Sequence, residues 1–332
     1  MNEIDLVYLY VNGSDKELEK KRNIYLKKYN NFYKPPSIRY LDIGELNYSI
    51  KTALKFIPWI NKIYIITDNQ IPVIDTELLN NKKIKIIDHT EIIPNEYLPT
   101  FSSHMIESFI HNIPNLSEIF LCNNDDFFFF DYINENDIYK IIDGKIKLKI
   151  LYHNFCPRNS EYEQNLLKKI GINKPIYNHL TRIFRKSTLK YIEENYKDDL
   201  HKSRLHKFRC SEQLKYIFFS MNIEEYLHNN IKIPLNSNNH IVYQTENEIY
   251  NKLIHKLIYK KCKFACYNNM HQSFKEPFKK LMNTVLNINT KCCNNNCNFL
   301  RHTDIKNNGG THCCKACKEK DKHGPMCQKK II

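Results

Sequence analysis

Four short apolar runs, at residues 4–11, 63–67, 84–87 and 119–123, do most to limit what this chain can fold into. Runs of this length rich in Ile, Val and Tyr suit strands buried on both faces. Helical spacing lies between them. Leu46, Ile50, Ala53, Leu54 and Ile57 form one stripe, and Met105, Ile106, Phe109, Ile110 and Ile113 form a second. Strand and helix in alternation imply an α/β fold with a largely parallel sheet, whose ligand site is expected at the carboxyl ends of the strands. Asn12-Gly13-Ser14-Asp15 and Asn124-Asp125-Asp126 both fall at such ends. From about residue 145 the pattern turns more helical, with candidate helices at 159–170, 187–196, 211–221 and 272–286 and an extended interlude at 231–244. The expected organisation is an α/β ligand-binding half over 1–145, a helical half completing the site over 146–290, and a small Cys/His-rich module over 291–332.

The run Leu121-Cys122-Asn123-Asn124-Asp125-Asp126-Phe127-Phe128-Phe129 carries the chemistry. An apolar strand delivers two adjacent carboxylates and resumes as aromatic core. Adjacent acids in such surroundings are expensive to bury unless a cation or a phosphate-bearing ligand uses them. Taken in isolation, Asn-Asp-Asp also reads as a turn that closes a strand. Just upstream, Thr100-Phe101-Ser102-Ser103-His104-Met105-Ile106-Glu107 opens with a hydroxyl-rich turn able to cap a helix and aim backbone N–H groups at an anion.

These blocks keep a fixed order. Residues 4–15 (IDLVYLYVNGSD) are followed by Arg39-Tyr40-Leu41-Asp42, Glu45-Leu46-Asn47-Tyr48-Ser49, the run from Pro58 to Gln70, and then the LPTFSSHMIES and NNDD segments. Tyr177-Asn178-His179, Phe208-Arg209-Cys210-Ser211-Glu212-Gln213 and Lys263-Phe264-Ala265-Cys266-Tyr267-Asn268-Asn269 come later. Over residues 1–290 the chain resembles the Stealth family of capsular-polysaccharide and GlcNAc-1-phosphate phosphotransferases. The resemblance implies a Rossmann-like core similar to GT-A glycosyltransferases. It also implies transfer of a sugar 1-phosphate, HexNAc-1-phosphate in the first instance, from a UDP-sugar to a glycan or polysaccharide hydroxyl, with release of UMP. By the same resemblance Asp125, Asp126, His179 and Arg209 are the catalytic candidates, with Mg²⁺ or Mn²⁺ held by Asp126 and Asn269. Asn12, Gly13, Asp15, Arg39, Ser103, His104 and Glu212 are the expected substrate-binding residues. Gly13 would permit a positive φ or close backbone approach under the nucleotide. Two positions depart from the family pattern. Thr181 replaces the proline of the Asn-His-x-Pro motif, and Asn269 replaces an aspartate, which leaves an oxygen donor without its charge.

Seven of the twelve cysteines lie in the last segment: Cys292, Cys293, Cys297, Cys313, Cys314, Cys317 and Cys327, accompanied by His302, His312 and His323. Cys293-x3-Cys297, Cys314-x2-Cys317 and His323-x3-Cys327 are chelate spacings for structural Zn²⁺, and disulfides are the alternative in an oxidising compartment. Met1 leads almost at once into a strand rather than a signal peptide, and no apolar stretch approaches a membrane span, so a cytoplasmic protein is expected and zinc is favoured. The net charge of +14 would suit phosphate-rich ligands, nucleic acid or an anionic membrane. Because Lys, Asn and Ile dominate throughout, the excess reads as compositional bias, and with no basic run interleaved with aromatics nucleic acid is not an expected partner. A metal-dependent glycosyltransferase releasing UDP and a catalytically weak glycan- or nucleotide-sugar-binding protein remain as alternative functions.

Overall fold

The computed structural model describes residues 3–29, 42–153, 161–235, 240–243, 263–267, 273 and 275–287. In chain order the elements of the first part are β1 (Ile4–Leu9), α1 (Lys16–Lys28), α2 (Glu45–Phe56), β2 (Ile63–Thr67), α3 (Thr76–Leu79), β3 (Ile84–Asp88), α4 (His89–Ile92), α5 (Ser103–Glu107), β4 (Ile119–Asn124) and β5 (Phe127–Phe129). There follow α6 (Glu135–Ile138), β6 (Tyr139–Ile142), β7 (Lys145–Tyr152), α7 (Glu161–Lys169), β8 (Arg182–Arg185), α8 (Lys186–Asn195), α9 (Lys197–Arg204) and α10 (Tyr216–His228). The last are β9 (Ile231–Pro234), β10 (His240–Tyr243), β11 (Phe264–Tyr267) and α11 (Lys275–Asn287). The chain divides into two compact units, 1–246 with 263–275, and 247–262 with 276–332. Described residues of the second belong to α11, which buries Phe278, Leu281, Met282 and Val285 along one helical stripe.

The fold is α/β, built on a mostly parallel sheet with the order β3-β2-β1-β4-β8. The first four strands are parallel, and β8 closes the sheet antiparallel to β4. Central β1 is buried on both faces through Ile4, Leu6, Val7 and Tyr8, which is why its sequence runs nearly continuously apolar. Its one carboxylate, Asp5, is buried and paired. Asp5 Oδ1 accepts from Lys62 N and Asn61 Nδ2, both at 3.0 Å, and Oδ2 accepts from Ser117 N at 2.7 Å, so one side chain pins the entries to β2 and β4. The chain steps from β1 outward to β2 and β3 and then returns to place β4 on the other side of β1. That reversal opens a crevice at the carboxyl ends of β1 and β4, where ligands of open α/β sheets bind.

Two smaller sheets flank this frame. One has the order β10-β11-β5, with β5 antiparallel to β11, and the other the order β6-β7-β9. The expected strands at 63–67, 84–87 and 119–123 are present, as is the helix over the 46–57 stripe, observed as α2. The stripe from Met105 to Ile113 is not one helix. It breaks into α5 and a 3₁₀ turn at Ile110–Asn112, because buried Arg204 donates from Nε to Ser108 Oγ and from Nη2 to Ser108 O, each at 2.9 Å, while Ser108 Oγ donates to Met105 O. Arg204 also lies 3.8 Å from the Phe109 ring centre. The helix expected at 211–221 begins later, at Tyr216, because Gln213 and Leu214 are engaged with Ser102, Ser203 and His206 instead. The part beyond residue 145 is helix-rich, and it also supplies strands β7 to β11.

Helices α8 and α10 are joined to β8 by a buried ion pair between Arg185 and Glu224. Glu224 is fully buried and also accepts from Arg185 N, Thr188 Oγ1 and Asn230 Nδ2. Removing one partner of such a pair strands the other charge. Glu224→Leu should therefore cost about 3–5 kcal/mol in urea unfolding, whereas Lys21→Ala, which breaks a partly exposed pair with Asp68, should cost no more than about 1 kcal/mol. Equal effects of the two would show that Glu224 is not the link between these helices and the sheet.

Candidate active site

Strand β4 ends at Asn124 and β5 begins at Phe127, so Asp125 and Asp126 form the two-residue turn by which the chain leaves one sheet for another. Leu9 at the end of β1 pairs with Asn124, which sets the turn beside the crevice. Backbone and side-chain contacts hold it. Tyr267 N donates to Asp126 O at 3.0 Å, and Cys266 Sγ lies 3.8 Å from Asp126 Oδ2. On the other side Tyr8 OH and Ser49 Oγ share a 2.8 Å hydrogen bond, Ser49 Oγ donates to Phe127 O, and Phe129 N donates to Thr52 Oγ1 at 3.3 Å. Those small hydroxyls on α2 let the helix sit against the strand that carries the acids.

The electrostatics of the turn are lopsided. Burial, then the charges of Asp126, Glu45 and Asp42, push the Asp125 carboxyl well above its ordinary range. Burial also raises Asp126, opposed by its own backbone hydrogen bond and by the Arg182 guanidinium. Glu45 rises to about 8, through burial first, with Asp42 adding to it. Four carboxylates thus share one region, and Asp126 Oδ1 is covered without a hydrogen-bond partner among the described residues. Hard oxygen donors left in excess of counter-charge fit a divalent cation. Among the described residues no group of three or more His, Cys, Asp or Glu has metal-holding geometry.

The other sequence-derived candidates are held by separate sets of contacts. Asn12 and Asp15 shape the loop after β1. Asn12 N donates to Gln70 Oε1 at 2.9 Å, Gln70 Nε2 returns bonds to Asn12 O and Asp15 Oδ2 at 3.0 Å, and Asp15 Oδ1 caps α1. The Gln70 amide, followed by a backbone N–H at the helix start, holds the Asp15 carboxyl below its usual value. Gly13 lies in the turn between them.

Segments 98–108 and 205–214 clasp each other. Phe101 N donates to Lys207 O at 2.8 Å, the Phe101 and Phe208 rings stack with centres 5.0 Å apart, and Ser102 Oγ donates to Gln213 Oε1 at 2.5 Å. Ser102 therefore does not cap α5 with its hydroxyl, contrary to the sequence expectation. The clasp brings Arg209 Nη2 to Ser103 Oγ, a contact no local pattern contains. His104, half-buried and held low by desolvation, meets Glu107 at 3.4 Å. Glu212 is 81% exposed and faces His206 at 3.9 Å, so the structure does not bring it into the clasp.

His179 is half-buried, edge-on to Phe127 at 5.4 Å between ring centres and parallel to Tyr177 at 6.5 Å. Because Phe127 follows Asp126, this packing sets the imidazole beside the acidic turn. The proline missing at Thr181 has a substitute, since Asn178 Nδ2 donates to Thr181 O at 3.1 Å and closes the same turn by a hydrogen bond. Arg39, Asn269 and the tail residues Cys293, Cys297, Cys314, Cys317, His323 and Cys327 lie outside the described residues.

Sequence reasoning missed Arg182. It is buried at the start of β8, donates from Nε to Asn178 O at 3.3 Å, and sits over the Phe127 and Phe218 rings at 5.2 and 5.5 Å. A charged residue inside the apolar run Leu180-Thr181-Arg182-Ile183-Phe184, three positions after His179, was the available signal. It is a cation that opposes the upward pKa shifts which burial imposes on Asp126 and Cys266.

A family model described as Stealth protein CR2, conserved region 2, matches residues 39–146. The chain is 33% identical over 212 residues to the capsular polysaccharide phosphotransferase eps5J of Streptococcus thermophilus, covering 62% of this chain and 84% of that protein. It is 45% identical over 141 residues to the capsular polysaccharide phosphotransferase fcs1 of Haemophilus influenzae, which is 41% of this chain and 38% of the relative. With LcbA of Neisseria meningitidis, also a capsular polysaccharide phosphotransferase, it shares 45% over 129 residues, 38% of this chain and 34% of that one. The matched region thus spans little more than a third of these last two relatives. Among solved structures, a galactosyltransferase LgtC complex with donor and acceptor sugar analogs aligns over 84% of this chain and 95% of its own, at 11% identity and a TM-score of 0.41. The match across most of the Streptococcus protein, with the CR2 region running from before α2 through the acidic turn, shows that the chain belongs to the Stealth family.

Proposed function

We propose that this protein transfers a sugar 1-phosphate from a UDP-sugar to a hydroxyl of a glycan or polysaccharide acceptor, forming a phosphodiester and releasing UMP. The observation that carries the reading is the Asp125-Asp126 turn at the carboxyl ends of β1 and β4, where carboxyl groups outnumber nearby cations and His179 packs alongside. Support comes also from relatives named as capsular polysaccharide phosphotransferases.

In the proposed reaction the acceptor oxygen bonds to the sugar-bearing phosphorus as the bond from that phosphorus to the UMP oxygen breaks, and the hydroxyl proton passes to a protein base. The anomeric bond stays intact. A bound Mg²⁺ or Mn²⁺ would neutralise pyrophosphate charge, with Asp126 as its protein ligand. Burial and like-charge neighbours make the Asp125 carboxylate a stronger base than a solvent-exposed one, so it is suited to take the hydroxyl proton. His179, fixed between Phe127 and Tyr177, is placed to orient the acceptor or hydrogen-bond the moving phosphoryl group. Arg209, steadied by Ser103 Oγ, offers a planar fork to phosphate oxygens. The Asn12–Gln70–Asp15 bonds keep the loop after β1 rigid under the nucleotide.

Nucleotide products separate this reaction from glycosyl transfer. Purified protein with Mg²⁺ or Mn²⁺, a UDP-HexNAc donor and a polysaccharide acceptor should produce UMP in an acceptor-dependent way, and UDP as the only product would assign a glycosyltransferase instead. Asp126→Asn and Arg209→Ala should each lower turnover by roughly 10²-fold or more, with unfolding free energy changed by no more than about 1 kcal/mol.

The raised carboxyls give a second test. Groups whose pKa is higher in the folded than in the unfolded protein stabilise it fully below the unfolded value, near 4 for a carboxyl, and lose that contribution as pH rises through the folded value, about 8 for Glu45. A divalent cation competes with those protons. Addition of Mg²⁺ should therefore raise Tm more near pH 8 than near pH 5, and Asp126→Asn should remove most of the difference. The same gain at both pH values would place the cation elsewhere.

A further inference from the structure

Strands β6 and β7 form a tight hairpin whose two faces differ in chemistry. The turn residues Asp143 and Gly144 have φ of 50° and 70°, the two successive positive values of a two-residue turn that matches strand twist. The register pairs Tyr139 with Leu148 and Ile141 with Ile146 on one face, and Lys140 with Lys147 and Ile142 with Lys145 on the other. One face is thus apolar and the other is basic. Ile141 is 62% exposed and Ile142 39% exposed, although consecutive strand residues point to opposite faces, so the tip protrudes beyond protein cover on both sides.

Neither Lys140 nor Lys145 forms an ion pair with a described residue, and both are exposed. Lysines do protect sheet edges from pairing, and β6 is an edge strand. β9 pairs with β7 only from Lys149 onward, so Lys145 and Lys147 also stand beyond that pairing. Edge protection does not account for Lys140 directly opposite Lys147, a like-charge pair that weakens the hairpin, or for isoleucines left in water beside them. The hairpin root is rigid. Arg185 Nη2 donates to Ile146 O at 2.6 Å, Leu148 N donates to Asn230 Oδ1 at 2.9 Å, and Lys147 Nζ donates to His228 O.

We propose that this hairpin docks the protein on an anionic lipid surface. Ile141, Ile142 and Ile146 enter the boundary between headgroups and acyl chains, and Lys140 and Lys145 meet lipid phosphates. An apolar wedge rimmed by lysines is complementary to a charged bilayer. A soluble acidic polymer would use the lysines alone and leave the isoleucines exposed. Arg185 pairs with Ile119 at the start of β4, while Asp125 and Asp126 follow that strand's other end, so docking through the tip leaves the crevice open to soluble substrates.

The test is co-sedimentation of the full chain with vesicles of phosphatidylcholine alone or mixed with phosphatidylglycerol, beside binding to soluble dextran sulfate. The parent should pellet with the anionic vesicles, less so at high salt. Lys140→Gln/Lys145→Gln should weaken that binding by roughly 30-fold, and Ile141→Ser/Ile142→Ser by roughly 10-fold or more, both with the Tm of the parent. No vesicle binding by the parent overturns the proposal. So does binding that neither double variant weakens, binding as strong to neutral vesicles, or hairpin-dependent binding to dextran sulfate without binding to vesicles.

Discussion

Two neighbouring carboxylates, forced together where the chain crosses from one sheet to another, set the terms for everything around them. Asp125 and Asp126 cannot separate, because β4 ends one residue before the turn and β5 begins one residue after it. Burying such charge is tolerable only where it is answered. Arg182, held over Phe127 and Phe218, answers part of it, and Asp42 with Glu45 adds to the excess. What is left over is a set of carboxyl oxygens in excess of local counter-charge, including Asp126 Oδ1, which is covered without a hydrogen-bond partner among the described residues.

The packing around the acids has identifiable sources. Ser49 and Thr52 tie α2 to β5 through hydroxyls that also satisfy backbone groups of the aromatic strand. The Gln70 amide bridges the loop after β1 in both directions. Arg204, buried against Phe109 and paired with Glu193, ends α5 and frees the following segment for the clasp that delivers Arg209 to Ser103. Strand β8 links two regions, with Arg182 near the acidic turn at one end and Arg185 bound to Glu224 and the hairpin at the other. A change in how α10 packs would therefore act on both ends of one short strand.

Two departures from sequence expectation share one cause, a long-range bond made by a short polar side chain. Ser102 bonds Gln213 rather than capping α5, and Ser108 accepts from Arg204 where the helical stripe breaks. Asn178 instead closes its own turn locally, through Thr181 O. The hairpin at Asp143-Gly144 was different. Its turn dipeptide was visible in the sequence, but lysines at alternate positions hid the apolar face behind them.

The sequence by itself determined the parallel frame, because continuous apolar runs with helical stripes between them have few other ways to bury both strand faces. It also determined that Asp125-Asp126 would stand at a strand end, and the ordered motifs around them were legible because each is local. Only the tertiary structure decided which distant groups meet the acids. Arg182 reaches them through an antiparallel pairing of β8 with β4, and Arg209 reaches Ser103 across more than a hundred residues. Charge compensation is a property of spatial neighbours, and no periodicity along the chain encodes it.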